Sequence, residues 1–214
     1  MPHRARVATL PGARTCPDGR DRWRGRSVPD DVRGIRHARV VRARTVVVLT
    51  GLPGTGKSTL ADLLARVSGA PAFAGDWLLG ALAPHGILDH AEWSTLLAAY
   101  RDLLASLVTR QLLLGQSAVV DCVLDNVTVT AWRRDIGEHG GRLVVAECVC
   151  SDDAVHRRRV ERRRRGIPGW HEIGWAHVER MRREFRPVTD KQLTLDAINP
   201  IDHNLRLLTA LIAD

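Results

Sequence analysis

The apolar positions along the chain follow two alternating patterns. Short apolar runs typical of buried strands cover residues 45–50, 71–74, 117–122, 142–150 and 192–196. Longer stretches whose apolar residues recur every three or four positions predict helices near 57–67, 77–82, 93–112, 127–138, 170–186 and 201–213. Because strands alternate with helices, the pattern predicts a parallel five-stranded sheet covered by helices on both faces, a three-layer α/β sandwich.

The longest predicted helix has an amphipathic stripe. Asp89 and Glu92 have the spacing of a capping box, which predicts that the helix begins beside them, and Gly115 predicts its end. The apolar residues at helical spacing are expected to face the core: Trp93, Leu96, Leu97, Tyr100, Leu103, Leu104, Leu107 and Leu112.

The first predicted strand leads directly into a glycine-rich sequence that fits G-x-x-x-x-G-K-[ST], the phosphate-binding P-loop pattern. Its glycines allow backbone N–H groups to turn towards a phosphate, and the next helix adds its positive end. Lys57 is placed to reach the β- and γ-phosphates, and the Ser58 hydroxyl to ligate Mg²⁺. A glycine-rich turn without a ligand is the alternative, which the flanking strand and helix disfavour. The predicted nucleotide-binding residues are Gly51, Leu52, Pro53, Gly54, Thr55, Gly56, Lys57, Ser58 and Thr59.

The positive charge of the chain is unevenly distributed. The net charge is +8, but residues 1–42 hold eleven Arg and four Asp and so carry +7. Residues 43–214 hold nineteen Arg, two Lys and twenty acids, a balance of +1. We expect 1–42 to be a basic, largely disordered extension: a nucleic-acid-binding arm, a dispensable tail, or a mimic of a transit peptide. The folded domain is expected at 43–214.

Two acids follow predicted strands at the edge where ligands of parallel sheets bind. Asp76 comes after the second strand and is either a helix N-cap or a carboxylate that accepts a proton from an acceptor hydroxyl. Asp121 ends the third strand, the position at which a Walker B acid holds Mg²⁺ directly or through water. Asp125 and Asn126, just beyond, are more typical of a turn.

Seven arginines lie within residues 157–165, a stretch predicted as helix. Glu161 is the one acid among them, so their mutual repulsion favours a bound anion such as a triphosphate. We expect Arg159, Arg162 and Arg163 to clamp the transferring phosphoryl group, with Arg159 and Arg163 on one helical face. A solvated basic face and a nucleic-acid-binding ridge are the alternatives. With the glycines that follow, residues 152–175 predict an arginine-rich helical lid.

These motifs resemble a family of small P-loop kinases with an AAA-type ATP-binding domain. The family includes chloramphenicol phosphotransferase, gluconate and shikimate kinases, the zeta toxins and the kinase domain of polynucleotide kinases. The resemblance covers about 44–213, and its anchors are residues 51–61, 73–84, 119–126, 150–163 and 193–205. It implies a P-loop NTPase fold, an Asp76 that acts on the acceptor hydroxyl, lid arginines at Arg159, Arg162 and Arg163, and a loop with Asn199 and Pro200 against the adenine.

The motifs together predict a kinase that uses ATP and Mg²⁺ to phosphorylate a hydroxyl of a small molecule, such as an antibiotic, a sugar or a nucleoside. The chain has no guanine-reading Asn/Thr-Lys-x-Asp motif, which favours ATP. A polynucleotide or tRNA kinase, a sugar-nucleotide kinase like the zeta toxins, and a non-catalytic nucleotide switch are the alternatives. No apolar run is long enough to span a membrane and no cysteines have metal-type spacing, so we expect a cytoplasmic protein.

Overall fold

Five parallel strands form the central sheet of the computed structural model, which describes residues 44–213. The strands are β1 (Thr45–Thr50), β2 (Ala72–Ala74), β3 (Ala118–Asp121), β4 (Arg142–Val149) and β5 (Leu193–Asp196). Their order across the sheet is β2-β3-β1-β4-β5, and every neighbouring pair is parallel. The predicted five-stranded parallel sheet is therefore confirmed, whereas the prediction for residues 1–42 lies outside the described residues.

Helices connect the strands. They are α1 (Lys57–Ser68), α2 (Gly75–Leu82), α3 (Ile87–His90), α4 (Trp93–Leu113), α5 (Asn126–Glu138), α6 (Asp153–Arg162), α7 (Trp175–Glu184) and α8 (Ile201–Ala213). A 3-10 turn at Ala83–His85 lies between α2 and α3. Across residues 44–213, we find no helix with the length and apolar character needed to cross a bilayer.

Two apolar cores lie on opposite faces of the sheet. Successive side chains of a strand point to opposite faces, so Val46 and Val48 pack with α4 and α5, whereas Val47 and Leu49 pack with α1 and α8. All four valine and leucine side chains are almost fully buried. The three-layer α/β sandwich predicted from the sequence is confirmed, with β1 and its P-loop at the centre.

Helix α4 buries a narrower stripe than its sequence predicts. Every fourth residue is buried: Leu96, Tyr100, Leu104, Val108 and Leu112. Trp93 is 59% exposed and Leu103 44% exposed, so the prediction that both belong to the core is wrong. A helix that packs on one side only buries the residues that repeat at i+4, and both exposed residues lie off that row.

The predicted capping box does not form. Asp89 lies inside α3, and Glu92 is at the N-cap position of α4 without a side-chain hydrogen bond to the helix. The short helix α3 ends at His90, so the chain turns between the two acids rather than at the first of them. The capping box needs both side chains on one helical turn, which this break prevents.

The arginine run is only partly helical. Helix α6 ends at Arg162, and the backbone of Arg163 is extended with φ −68° and ψ 146°. Helix α7 begins at Trp175 rather than at residue 170. The prediction of one helical face shared by Arg159 and Arg163 is therefore wrong, because Arg163 lies beyond the helix. We call residues 163–174, which contain neither helix nor strand, the lid segment.

Candidate active site

The loop after β1 has the backbone geometry of an anion nest. Gly51 has φ 127°, a left-handed value that side chains rarely adopt, and a Cβ atom there would lie 2.1 Å from the carbonyl oxygen of Cys148. The backbone at Gly51 therefore approaches the end of β4 more closely than a residue with a Cβ atom could. Gly54 and Gly56 also have positive φ, so the chain bends around its own N–H groups, as the P-loop pattern predicts.

Lys57 begins α1 and lies across this loop. Its ammonium donates to the carbonyl oxygen of Leu52 at 2.9 Å, and the hydroxyl of Thr55 donates to the same oxygen at 2.8 Å. The side chain of Lys57 is buried although it is charged. Ser58 and Thr59 follow in the first turn of the helix. The loop thus holds the ammonium of its lysine against its own backbone.

Asp76 lies in the first turn of α2, at the carboxyl end of β2. The N-cap position of this helix belongs to Ala74, and no side chain caps it, so Asp76 is not the helix cap. Its carboxylate instead forms an ion pair with the guanidinium of Arg165 in the lid segment. The helix-cap interpretation of Asp76 is therefore excluded, and the carboxylate connects the start of α2 to the lid segment.

Asp121 ends β3 beside the P-loop strand. The sheet register pairs it with Leu49 of β1 and with Ala74 of β2, so it lies between the loop and Asp76. Burial raises the pKa of the adjacent Cys122 most, the charge of Asp121 raises it further, and the ammonium of Lys57 lowers it. The charges of Asp121 and Lys57 therefore both affect the Cys122 thiol, at the carboxyl end of the sheet.

The Arg163 side chain lies near Asp76 and Asp121, and two of its guanidinium nitrogens have no hydrogen-bond partner within the described residues. Burial lowers the pKa of its guanidinium most and Arg165 lowers it further, whereas the carboxylate of Glu172 and then those of Asp76 and Asp121 raise it. In the described chain its Nε and Nη2 groups are buried and have no hydrogen-bond acceptor. Buried donors of a guanidinium are costly when unpaired, so this geometry fits a bound anion such as a phosphate.

A pocket opens beside the P-loop. Its lining consists of Thr55, Gly56, Leu60, Arg159, Ala197, Asn199, Ile201 and Asn204. Arg159 thus lies beside the loop, and Asn199 comes from the turn that was expected against an adenine. Pro200 follows this turn at the start of α8, and Arg162 is exposed at the end of α6. The pocket lies next to the predicted phosphate-binding loop.

Magnesium ligation would fall to two oxygen donors. Ser58 lies at the start of α1 and Asp121 at the end of β3, and hydroxyl and carboxylate oxygens are donors that Mg²⁺ prefers. Residues 44–213 contain no cluster of three or more His, Cys, Asp or Glu arranged for a metal ion. The donor set therefore fits a cation that completes its coordination with phosphate oxygens and water.

Several residues of the site gave no signal in the sequence. Arg165, which pairs with Asp76, was one arginine among seven. His156 is buried against the loop, with its Nε2 2.8 Å from the carbonyl oxygen of Pro53, and Arg182 of α7 contacts its Nδ1. A single histidine in an arginine-rich helix has no recognisable spacing.

Asp125 caps α5 by accepting from the N–H of Thr128 at 2.8 Å, in keeping with the expected structural role.

Comparisons with known proteins identify a sequence family and a shared fold. Residues 46–188 match the model of a family described as an AAA domain. A search of curated protein sequences finds no match.

Solved structures with the same fold include three kinases. A sugar kinase from Janibacter sp. HTCC2649 has a TM-score of 0.59 at 20% identity, covering 79% of this chain and 94% of that one. A gluconokinase from Sinorhizobium meliloti 1021 has a TM-score of 0.57 at 18% identity, covering 80% and 93%. The APS kinase CysC of Mycobacterium tuberculosis, solved with AMPPNP and APS, has a TM-score of 0.56 at 20% identity, covering 80% and 99%. The chain belongs to this AAA-domain family, and its fold is the one that these three kinases share.

Proposed function

We propose that this chain is an ATP-dependent kinase that transfers the γ-phosphate to a hydroxyl group of a small molecule. The observation that carries the proposal is the meeting of four charged groups at the carboxyl end of the sheet. Lys57, Asp76, Asp121 and Arg163 come from α1, α2, β3 and the lid segment, and their charges act on one another or on shared neighbours. A structural role does not require two acids and two cations at one ligand-binding edge.

The triphosphate of ATP would lie on the loop from Gly51 to Thr59, with the nucleoside in the pocket beside Arg159 and Asn199. Pro200 borders that turn at the start of α8. The APS kinase neighbour was solved with the ATP analogue AMPPNP, which supports ATP as the phosphate donor. The loop N–H groups and the start of α1 supply the positive potential that a triphosphate needs.

In the transfer step, the acceptor oxygen forms a bond to the γ-phosphorus as the bond from that phosphorus to the leaving ADP oxygen breaks. Asp76 orients the acceptor hydroxyl in line and accepts its proton, and Arg165 fixes the position of the carboxylate. Lys57 and Arg163 stabilise the charge on the transferring group, with Arg159 and Arg162 nearer the rest of the triphosphate. Mg²⁺ held by Ser58 and Asp121 would neutralise phosphate charge.

A small molecule is the acceptor that the charge distribution favours. Residues 43–214 carry a balance of +1, whereas a chain that binds nucleic acid through its fold needs a basic surface. Structural neighbours are named as a sugar kinase and a gluconokinase, whose acceptors are small hydroxylated molecules by name. A cytoplasmic location is consistent with the use of ATP.

The test is transfer of γ-labelled phosphate from Mg·ATP by the full chain to pooled acceptors. The pools contain hydroxylated antibiotics, sugars, nucleosides and 5′-hydroxyl oligonucleotides, and the Lys57→Ala variant is the blank. Label on a small molecule supports the proposal and names the acceptor class. Label on oligonucleotides would replace it with a polynucleotide or tRNA kinase. ATP binding without transfer to any pool would favour a nucleotide switch.

A further inference from the structure

Helix α6 supports the tip of the P-loop through one buried histidine. His156 is 1% exposed, and its Nε2 lies 2.8 Å from the carbonyl oxygen of Pro53. A carbonyl oxygen can only accept a hydrogen bond, so the hydrogen-bond partners assign the proton to Nε2. The imidazole therefore donates to the loop, two residues beyond the first P-loop glycine.

The other imidazole nitrogen fixes the same tautomer. Nη2 of Arg182 lies 3.0 Å from Nδ1 of His156, and a guanidinium can only donate, so Nδ1 carries no proton. Arg182 is itself held by the carboxylate of Asp153 at 2.8 Å and by the ring of Trp175, 5.3 Å from its guanidinium carbon. Trp175 also meets the imidazole edge to face, at 5.2 Å between ring centroids. Helix α7 thus selects the neutral form that donates to Pro53.

The same face of α6 also contacts the loop sterically. A Cβ atom on Gly54 would lie 2.5 Å from Cγ2 of Val160 and 3.2 Å from Cδ2 of His156. His156 and Val160 are four residues apart and share a helical face, and Arg159, between them in sequence, lines the pocket beside the loop. Helix α6 therefore packs directly against the loop. The lid segment that follows α6 contains no helix.

We propose that His156 is a positioning residue for nucleotide binding, which holds Pro53 and the P-loop tip in place only as the neutral Nε2–H tautomer that Arg182 selects. This role rests on the proposed binding of ATP by the loop. It links the affinity for nucleotide to the protonation of one imidazole and to the packing of α6 against α7.

The sign of the pH effect follows from the groups that face His156. They are Asp153 on its own helix, Arg182 on α7 and Lys57 on α1, with the carbonyl of Pro53 in the loop. Burial lowers the pKa of the imidazole most, and Arg182 and Lys57 lower it further, against the opposing effects of Pro53 and Asp153. The imidazole is therefore neutral at pH 7. It gains a proton only at a pH below about 6.5, the ordinary pKa of histidine. A proton on Nδ1 would face the Arg182 donor, so acid weakens the support of the loop.

The experiment measures the dissociation constant of Mg·AMPPNP for the full chain by calorimetry between pH 5 and 8. His156→Leu removes the donor and is expected to bind about tenfold more weakly at pH 7.5. His156→Gln keeps an N–H that can donate to Pro53 but cannot titrate, and is expected within about threefold of the wild type at that pH. His90 is an exposed histidine in α3, so His90→Gln is the matched control and is expected to match the wild type at every pH.

The pH profile separates a positioning role from a structural one. The ratio of the wild-type to the His156→Gln dissociation constant is expected to rise as the pH falls below 6, while the titration of the nucleotide cancels from the ratio. Imidazole ¹⁵N shifts of the wild type are expected to show the Nε2–H tautomer. A flat ratio, an Nδ1–H tautomer, or wild-type affinity in His156→Leu would overturn the role of His156 alone. No AMPPNP binding by the wild type would overturn the proposed function as well.

Discussion

At the scale of single residues, the site contains buried polar groups that have no hydrogen-bond partner within the described residues. Two nitrogens of the Arg163 guanidinium, Nε and Nη2, are buried and lack an acceptor in the part of the chain described here. The neighbouring Arg165 has a partner in Asp76. Buried N–H groups without an acceptor cost stability, and a protein tolerates them where a ligand supplies the missing anion. Among the arginines of residues 157–165, Arg163 thus has the unpaired buried donors that best suit a bound phosphate.

Arg163→Gln is expected to lower the rate of phosphate transfer by about 100- to 1,000-fold, the usual effect of removing one aligned donor. Its free energy of unfolding should change by less than about 0.5 kcal/mol or rise slightly, because the lost N–H groups have no acceptor in the free protein. Single-turnover transfer and urea unfolding measure the two quantities. Arg158→Gln, an exposed residue of α6, should leave both unchanged, and equal loss in the two variants would contradict the role of Arg163.

The first P-loop glycine supports a second prediction. Gly51→Ala is expected to lower the free energy of unfolding by more than about 2 kcal/mol, since strain and overlap each cost about 1–3 kcal/mol. The cause is the overlap with Cys148 together with φ 127°. Gly69→Ala is the matched control, because Gly69 has φ 69° but no atom within 4 Å of an added Cβ, and should cost about 1 kcal/mol. Urea unfolding measures both, and equal costs would show that the contact with Cys148 is unimportant.

At the scale of the elements, α4 illustrates how packing selects among the residues that a pattern offers. Leu103 and Leu104 are adjacent in sequence and identical in chemistry, but Leu103 is 44% exposed and Leu104 is fully buried. Helix α4 covers one face of the sheet together with α5, and its buried row repeats strictly at i+4. The broader stripe expected from the sequence includes residues that the single contact face does not reach.

Leu104→Ala is expected to destabilise the protein by about 2–5 kcal/mol, since it leaves a cavity in a core that cannot fully collapse. Leu103→Ala removes the same atoms from the exposed side and should cost less than about 0.5 kcal/mol. Chemical unfolding of both variants, compared by their midpoints at constant slope, gives the difference. If the two variants lost equal stability, the assignment of the buried face of α4 would be wrong.

At the scale of the whole molecule, the sequence is most informative where local and global requirements coincide. All five strands were predictable from their short apolar runs, and the P-loop from the complete local signature of β1 and its glycines. The end of α6 at Arg162 was not, because every arginine that follows is itself a good helix former. The pairing of Asp76 with Arg165 and the contact of His156 with Pro53 join residues 89 and 103 positions apart, which no local pattern reveals.

The central claim is that these separate elements assemble one phosphoryl-transfer site, with Asp76 acting on the acceptor hydroxyl. Asp76→Asn keeps the size of the side chain and removes its capacity to accept the proton. It is therefore expected to leave the affinity for Mg·AMPPNP within about threefold of the wild type and to lower the rate of transfer by at least about 100-fold.

The one measurement that tests this most directly is single-turnover transfer from γ-labelled ATP to the identified acceptor by the wild type and by Asp76→Asn, with nucleotide affinity measured in parallel. Preserved binding with transfer lowered by about 100-fold or more is the result expected from a proton-accepting carboxylate. Transfer at the full wild-type rate by Asp76→Asn would contradict the assignment of Asp76 and the site built around it.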